Sequence, residues 1–142
     1  MSRNLETYQA IIQAWKDKDI DAVLARMHDD IVWHFAAAAE PPVVGKAGAR
    51  KFLQRFRASM GEVRWRVFDY AESGERLFVE GVDEYVTTDG RVVAAPYAGV
   101  LEFRDGLVIG WRDYVDVGVM AAQQAGQPIS KQVASLIDRP PI

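Results

Sequence analysis

The stretch GVLEFRDGLVIGWRDYVDV, residues 99–117, holds two alternating runs joined by Arg104, Asp105 and Gly106. Alternation of apolar and polar residues marks a strand with one face on a core. An Asp-Gly pair between two such runs marks the turn of an antiparallel hairpin. On the second run Leu107, Ile109, Trp111 and Asp113 fall on one face, and Val108, Gly110, Arg112 and Tyr114 on the other. The apolar face therefore ends in a carboxylate. That group sits either at a wet rim or among apolar neighbours that alter its chemistry.

Outward from this hairpin the same pattern recurs. Alternating runs at 62–73, 75–87, 91–103 and 107–117, with turns at 73–75, 88–90 and 104–106, predict a meander of four long antiparallel strands. Ahead of it, Leu5, Tyr8, Ile11, Ile12 and Trp15 recur at helical spacing, predicting a helix over 4–16 with Asn4 as its cap. Asp19 can cap a second helix carrying Ile20, Val23, Leu24 and Met27. IVWHF, 31–35, reads as a short strand, and a loop rich in Ala, Pro and Gly follows. A third helix over about 47–60 has Phe52, Leu53 and Phe56 on one side. GVMAAQQAG, 118–126, reads as a short final helix and the tail from 127 to 142 as irregular. Helices first and a curved antiparallel sheet afterwards make the expected class α+β, with the helices packed on one face of the sheet. The 142 residues suit a single domain, with its core over about 4–120.

Composition narrows the functions. A formal net charge of -3 and the lack of any basic cluster argue against a nucleic-acid partner. With no cysteine there are no disulfides, thiolate metal sites or cysteine nucleophiles. His28 and His34 have no further ligands at metal-binding spacing, so no metal is expected. No stretch approaches the roughly 20 apolar residues of a membrane span, and the amphipathic N-terminus does not read as a secretory signal. A cytoplasmic protein without membrane association is expected.

Two helices, HDDIVWHF at 28–35, a Pro-rich loop ending in VVGKAGARKFL, a long meander and the 99–117 stretch together resemble the nuclear-transport-factor-2-like, or SnoaL-like, superfamily. The resemblance spans about residues 4–120, and the WRDYVD strand is most similar to the limonene-epoxide hydrolase family. It implies a cone-shaped α+β barrel whose sheet curls around the N-terminal helices and encloses an apolar pocket. It also implies a cofactor-independent enzyme in which Asp113 is the base for a water and Asp83 the acid that protonates an epoxide oxygen. In that family an Arg two residues before the acid links the pair, and a Tyr and an Asn on the early strand hold the water. Here Gly81 stands in the Arg's place, and Trp33 and Phe35 stand where the Tyr and Asn would lie. Steroid isomerases of the superfamily need an Asp where Phe35 stands and an acid near Gly99.

The residues carry their own chemistry beside this resemblance. LFVEGVDEY places Leu77, Val79, Gly81, Asp83 and Tyr85 on one strand face. If that face converges with Trp111 and Asp113, two carboxylates share an apolar enclosure with no Arg between them. One of them then keeps its proton at neutral pH, which is the pairing general acid–base catalysis uses. Epoxide opening to a diol fits the pair. Proton transfer at carbon by a single Asp, as in SnoaL-like polyketide cyclases or isomerases, needs fewer partners. A non-catalytic binder of an apolar ligand is the third reading, favoured by Gly81.

Trp33, Phe35, Tyr97 and Trp111 read as core or pocket-wall aromatics that would contact a small apolar substrate. Tyr85 reads either as a hydrogen-bond donor to that ligand or as a packed ring. His34 reads as a structural histidine and Arg112 as the ion-pair partner of a helix carboxylate. Finally, Phe78, Val82, Val86, Val100 and Val108 on the outer sheet face lead to the expectation of a homodimer.

Overall fold

The computed structural model describes residues 2–142. The chain enters through α1 (Arg3–Lys16), α2 (Ile20–Leu24), β1 (Met27–His34), β2 (Val43–Val44) and α3 (Gly45–Ser59). A sheet follows: β3 (Met60–Val63), β4 (Arg66–Ser73), β5 (Arg76–Thr87), β6 (Val92–Arg104) and β7 (Leu107–Val115). Two helices close the chain, α4 (Val117–Gln124) and α5 (Lys131–Ile137). The strands form one sheet ordered β2-β1-β7-β6-β5-β3, with β4 also on β5. It curls into a half-barrel around the N-terminal helices, the expected α+β arrangement. No helix among the described residues is long and apolar enough to cross a membrane.

The meander at 76–115 folds as the alternation predicts, with β5, β6 and β7 antiparallel in order. Four local departures have physical causes. The cap of α1 is Ser2, whose hydroxyl accepts from Leu5 N at 2.9 Å, so the helix starts one residue ahead of Asn4. The expected strand 62–73 breaks into β3 and β4 at Arg64 and Trp65, where Arg64 N donates to Glu84 O and Trp65 turns inward. β7 is bulged: Glu102 pairs with Gly110 and Phe103 with Val108, leaving Ile109 without a partner. Val108 therefore faces the main core, not the outer surface, and Ile109 is displaced from it. The early strand runs from Met27 and pairs parallel with β7, placing Trp33 opposite Trp111 and His34 opposite Arg112.

The tail departs from expectation as well. α5 is an ordered helix capped by the Ser130 hydroxyl on Val133 N. Val133 packs on Phe68, Val82 and Ala94 in a second apolar cluster on the outer face of the sheet. Arg139 lies over the Phe68 ring at 4.6 Å and bonds Glu80 at 2.8 Å, and Ile142 N donates to Val67 O. Val82 is thus covered by the chain's own C-terminus, leaving Phe78 as the exposed apolar side chain of β5. Arg112 pairs with Glu102 on the neighbouring strand at 3.0 Å rather than with a helix carboxylate.

Candidate active site

The main core is not filled to the sheet. Between the concave face and α1, α3 and α4 lies a cavity of about 250 Å³. Aromatic rings dominate its wall, and all four tryptophans of the chain contribute to it. Trp111 stands at the centre of a stack, with Trp33 on one side (centroids 4.9 Å apart, planes at 18°) and Trp65 on the other (6.1 Å, 21°). Parallel pairing of β1 with β7 creates the first contact, and the break before β4 creates the second. Phe52 on α3 closes on Trp33 at 4.8 Å and on Phe35 at 4.3 Å.

Asp83 and Asp113 both line this cavity. Asp83 pairs across to Ala95 on β6 and Asp113 to Gly99, with Tyr97 midway between. The curl of the sheet turns all three inward. Trp111 Nε1 donates to Asp113 Oδ1 at 3.1 Å. Room for that carboxylate comes from Gly99, because a Cβ there would stand 2.5 Å from the same oxygen.

Burial raises both acids. Asp113 is pushed up to about 8, with the Trp111 hydrogen bond pulling it back and the charge of Asp83 adding to the rise. Asp83 is pushed up to about 6 by burial. At neutral pH the pair therefore holds one proton, with Asp113 the more strongly raised of the two.

Gly81 marks where the family's Arg would stand, and its neighbours explain the glycine. A Cβ at 81 would strike the Arg66 carbonyl and come within 2.7 Å of the Tyr97 hydroxyl. Tyr97 thus reaches from the adjacent strand into the space beside Gly81. Its hydroxyl accepts from Trp65 Nε1 at 2.7 Å and lies 2.8 Å from the Tyr8 hydroxyl. Burial keeps both phenols neutral by raising them. A neutral phenol network stands between the carboxylates where a guanidinium was the alternative.

Of the aromatics singled out in the sequence, Trp33, Phe35, Tyr97 and Trp111 line the cavity. Tyr85 does not: it packs in the core behind the wall, and Gln124 Nε2 donates to its hydroxyl at 2.9 Å. Sequence reasoning passed over Trp65, Tyr8, Gly99 and Gln124. Only Gly99, a glycine inside an apolar strand, carried a local signal of close approach. Among the described residues no three His, Asp or Glu side chains gather as a metal site would require.

Aromatic walls and a carboxylate pair on its floor make the cavity of this α+β half-barrel a candidate small-molecule site. Residues 8–111 match the model of the SnoaL-like domain, and the chain belongs to that family. The match stops two residues short of Asp113. The fold is that of an NTF2-like protein of unknown function from Burkholderia pseudomallei K96243 (23% identity, 87% of this chain and 98% of that one, TM-score 0.76). It is also similar to an LEH-like epoxide hydrolase of M. tuberculosis (24% identity, 85% and 88%, TM-score 0.74). An inferred polyketide cyclase from Xanthomonas campestris pv. campestris is 27% identical over 85% of this chain and 96% of its own, with a TM-score of 0.71. Among curated proteins none matches the chain.

Proposed function

We propose that the protein is a cofactor-independent enzyme that adds water to an epoxide on an apolar small molecule, using Asp83 and Asp113 as an acid–base pair. The observation that carries this reading is the pair itself: two carboxylates in one apolar cavity, holding a single proton between them at neutral pH. The ionised member takes a proton from water as its oxygen attacks a ring carbon. The protonated member gives its proton to the ring oxygen as the C–O bond breaks, and the diol leaves. Family resemblance puts the base on Asp113. The stronger upward push on Asp113 suits it to the acid's role as well, with Asp83 then as base.

A second reading has support of its own. The Tyr97 hydroxyl, fixed by Trp65 and Tyr8 beside the carboxylates, is placed to donate to a developing oxyanion. One Asp removing a proton from carbon, with Tyr97 on the oxygen, would be cyclase or isomerase chemistry of the SnoaL-like kind.

The deciding experiment incubates the protein with a panel of cyclic and terpene epoxides and measures diol by mass spectrometry. Diol formation is expected, falling on the order of a hundred-fold or more in both Asp83→Asn and Asp113→Asn. Its rate is expected to rise with pH through about 6 and to decline above about 8. Absence of diol from the wild-type protein moves the assignment to the cyclase or to a ligand-binding role.

A further inference from the structure

The charges in the cavity wall are of one sign. Asp83 and the exposed Glu40 supply them at neutral pH, with Asp113 raised enough to keep a proton, and no Lys, Arg or His lines the wall. Two cations that reach wall residues are engaged on their backbone: Lys18 Nζ donates to Met60 O, and Arg91 donates to Gln124 O. Arg66, beside Gly81, turns its guanidinium to Glu84 on the outer side of β5. The position from which a cation could bridge the pair is filled by the neutral Tyr97 hydroxyl.

The two carboxylates are not equally provided for. Asp113 receives the Trp111 N–H. Asp83 receives nothing from the described residues, and burial alone shapes its proton affinity. Asp83 is half-buried, and a carboxylate at an apolar wall gains when a ligand supplies a donor or counter-ion in place of water. The faces of the surrounding rings add to that preference, since the π-face of an indole or phenyl group attracts cations.

We propose that the ligand of this cavity is an organic ammonium: a protonated amine on an apolar body, its N–H groups on the Asp83 carboxylate and its body against Trp33, Trp111 and Phe52. This deepens the function proposed above and rests on the same cavity being the ligand site. The ammonium supplies the donor that Asp83 lacks and the positive charge that the wall lacks. A carboxylate or phosphate ligand would meet the charge of Asp83 and no cation, with the unpaired Trp33 N–H as the donor left to it, so charge selects against anions. In an epoxide substrate the ammonium would take one oxygen of Asp83 and leave the other to the water, with the ring towards Asp113.

The test is calorimetric titration of the protein at pH 7.5 with three ligands of one shape: 2-phenylethylammonium, 2-phenylethanol and 3-phenylpropanoate, repeated with the cyclohexyl analogues. The ammonium is expected to bind about tenfold or more tightly than the alcohol, as a charge-assisted hydrogen bond in place of a neutral one requires. The propanoate is expected to bind weakest. Asp83→Asn is expected to level ammonium and alcohol while keeping the alcohol's affinity. Equal or tighter binding of alcohol or propanoate in the wild-type protein overturns the proposal, as does failure of all six ligands to bind. Should the variant not fold, the wild-type ranking alone decides. The outcome is separable from the reaction: ammonium preference without diol formation retains this ligand class and removes the hydrolase reading, and diol formation without ammonium preference does the opposite.

Discussion

Gly81 shows how one residue changes the chemistry a wall can do. Its missing side chain lets Tyr97 enter from β6, and Tyr97 in turn ties Trp65 and Tyr8 into one buried network. Gly81→Ala is expected to destabilise the fold by about 1–3 kcal/mol, because the new methyl meets the Arg66 carbonyl, which cannot yield as a flexible side chain would. Tyr97→Phe is expected to cost about 1–3 kcal/mol, leaving the Trp65 N–H and Tyr8 hydroxyl buried without partners. Urea unfolding of both variants checks the pair, and values within error of wild type would contradict the close packing described. At this scale the sequence was partly legible. Period-two alternation placed Asp83 correctly, and Asp113 stayed on the inner face because the bulge precedes it. What filled the space beside Gly81 was not legible, because Tyr97 lies 16 positions on and reaches it only through the β5–β6 register. The inward turn of Trp65 depends likewise on a strand break that no residue type announces.

Among the elements, regular periodicity was read well and long-range pairing poorly. α1 and the three strands of the meander follow from spacing and turn residues. The parallel union of β1 with β7, which stacks Trp33 on Trp111, joins segments far apart in sequence and has no local signature. α5 had one: Ser130 ahead of KQVASLI is a helix start, although a seven-residue helix is too short to show a convincing period. Its role is to cover Phe68 and Val82, and Val133 is the side chain through which it does so. Val133→Asp is expected to lower stability by more than about 2 kcal/mol, since an unpaired carboxylate would enter that cluster. Arg139→Ala is expected to cost about 1 kcal/mol or less, because its bond to Glu80 is solvent-exposed. Thermal unfolding that ranked Arg139→Ala as the worse of the two would show α5 to be held by its ion pair instead. The helix also bears on assembly. With Val82 covered and Val108 inside, the expected dimer surface narrows to Phe78, Val86 and Val100. Sedimentation at micromolar concentration is expected to give twice the 15.9 kDa of one chain, and Phe78→Glu to return the monomer; a wild-type monomer would end that expectation.

For the whole molecule, keeping a carboxylate pair in an aromatic cavity makes stability depend on pH. An unfolded Asp titrates near about 4. In the folded protein Asp83 titrates at about 6 and Asp113 at about 8. Between these limits the folded state binds more protons than the unfolded state, so the free energy of unfolding falls as pH rises. The contribution is fully present below about pH 4. That of Asp83 is lost as pH rises to about 6, and that of Asp113 as it rises to about 8. Neighbouring ion pairs leave this upper window untouched, because a lowered carboxylate such as Glu62 beside Arg64 changes charge only at more acid pH. Urea midpoints are therefore expected to fall steadily from pH 5 to pH 8 and then level. Asp113→Asn, which cannot ionise, is expected to flatten the fall between pH 6 and 8 and to exceed the wild-type stability at pH 8. A midpoint that rises over this range, or an Asp113→Asn variant with the wild-type slope, would mean that the carboxylate is solvated or paired. The same titration run with a bound organic ammonium should recover much of the loss, since a ligand cation in the cavity favours the ionised carboxylates that burial opposes.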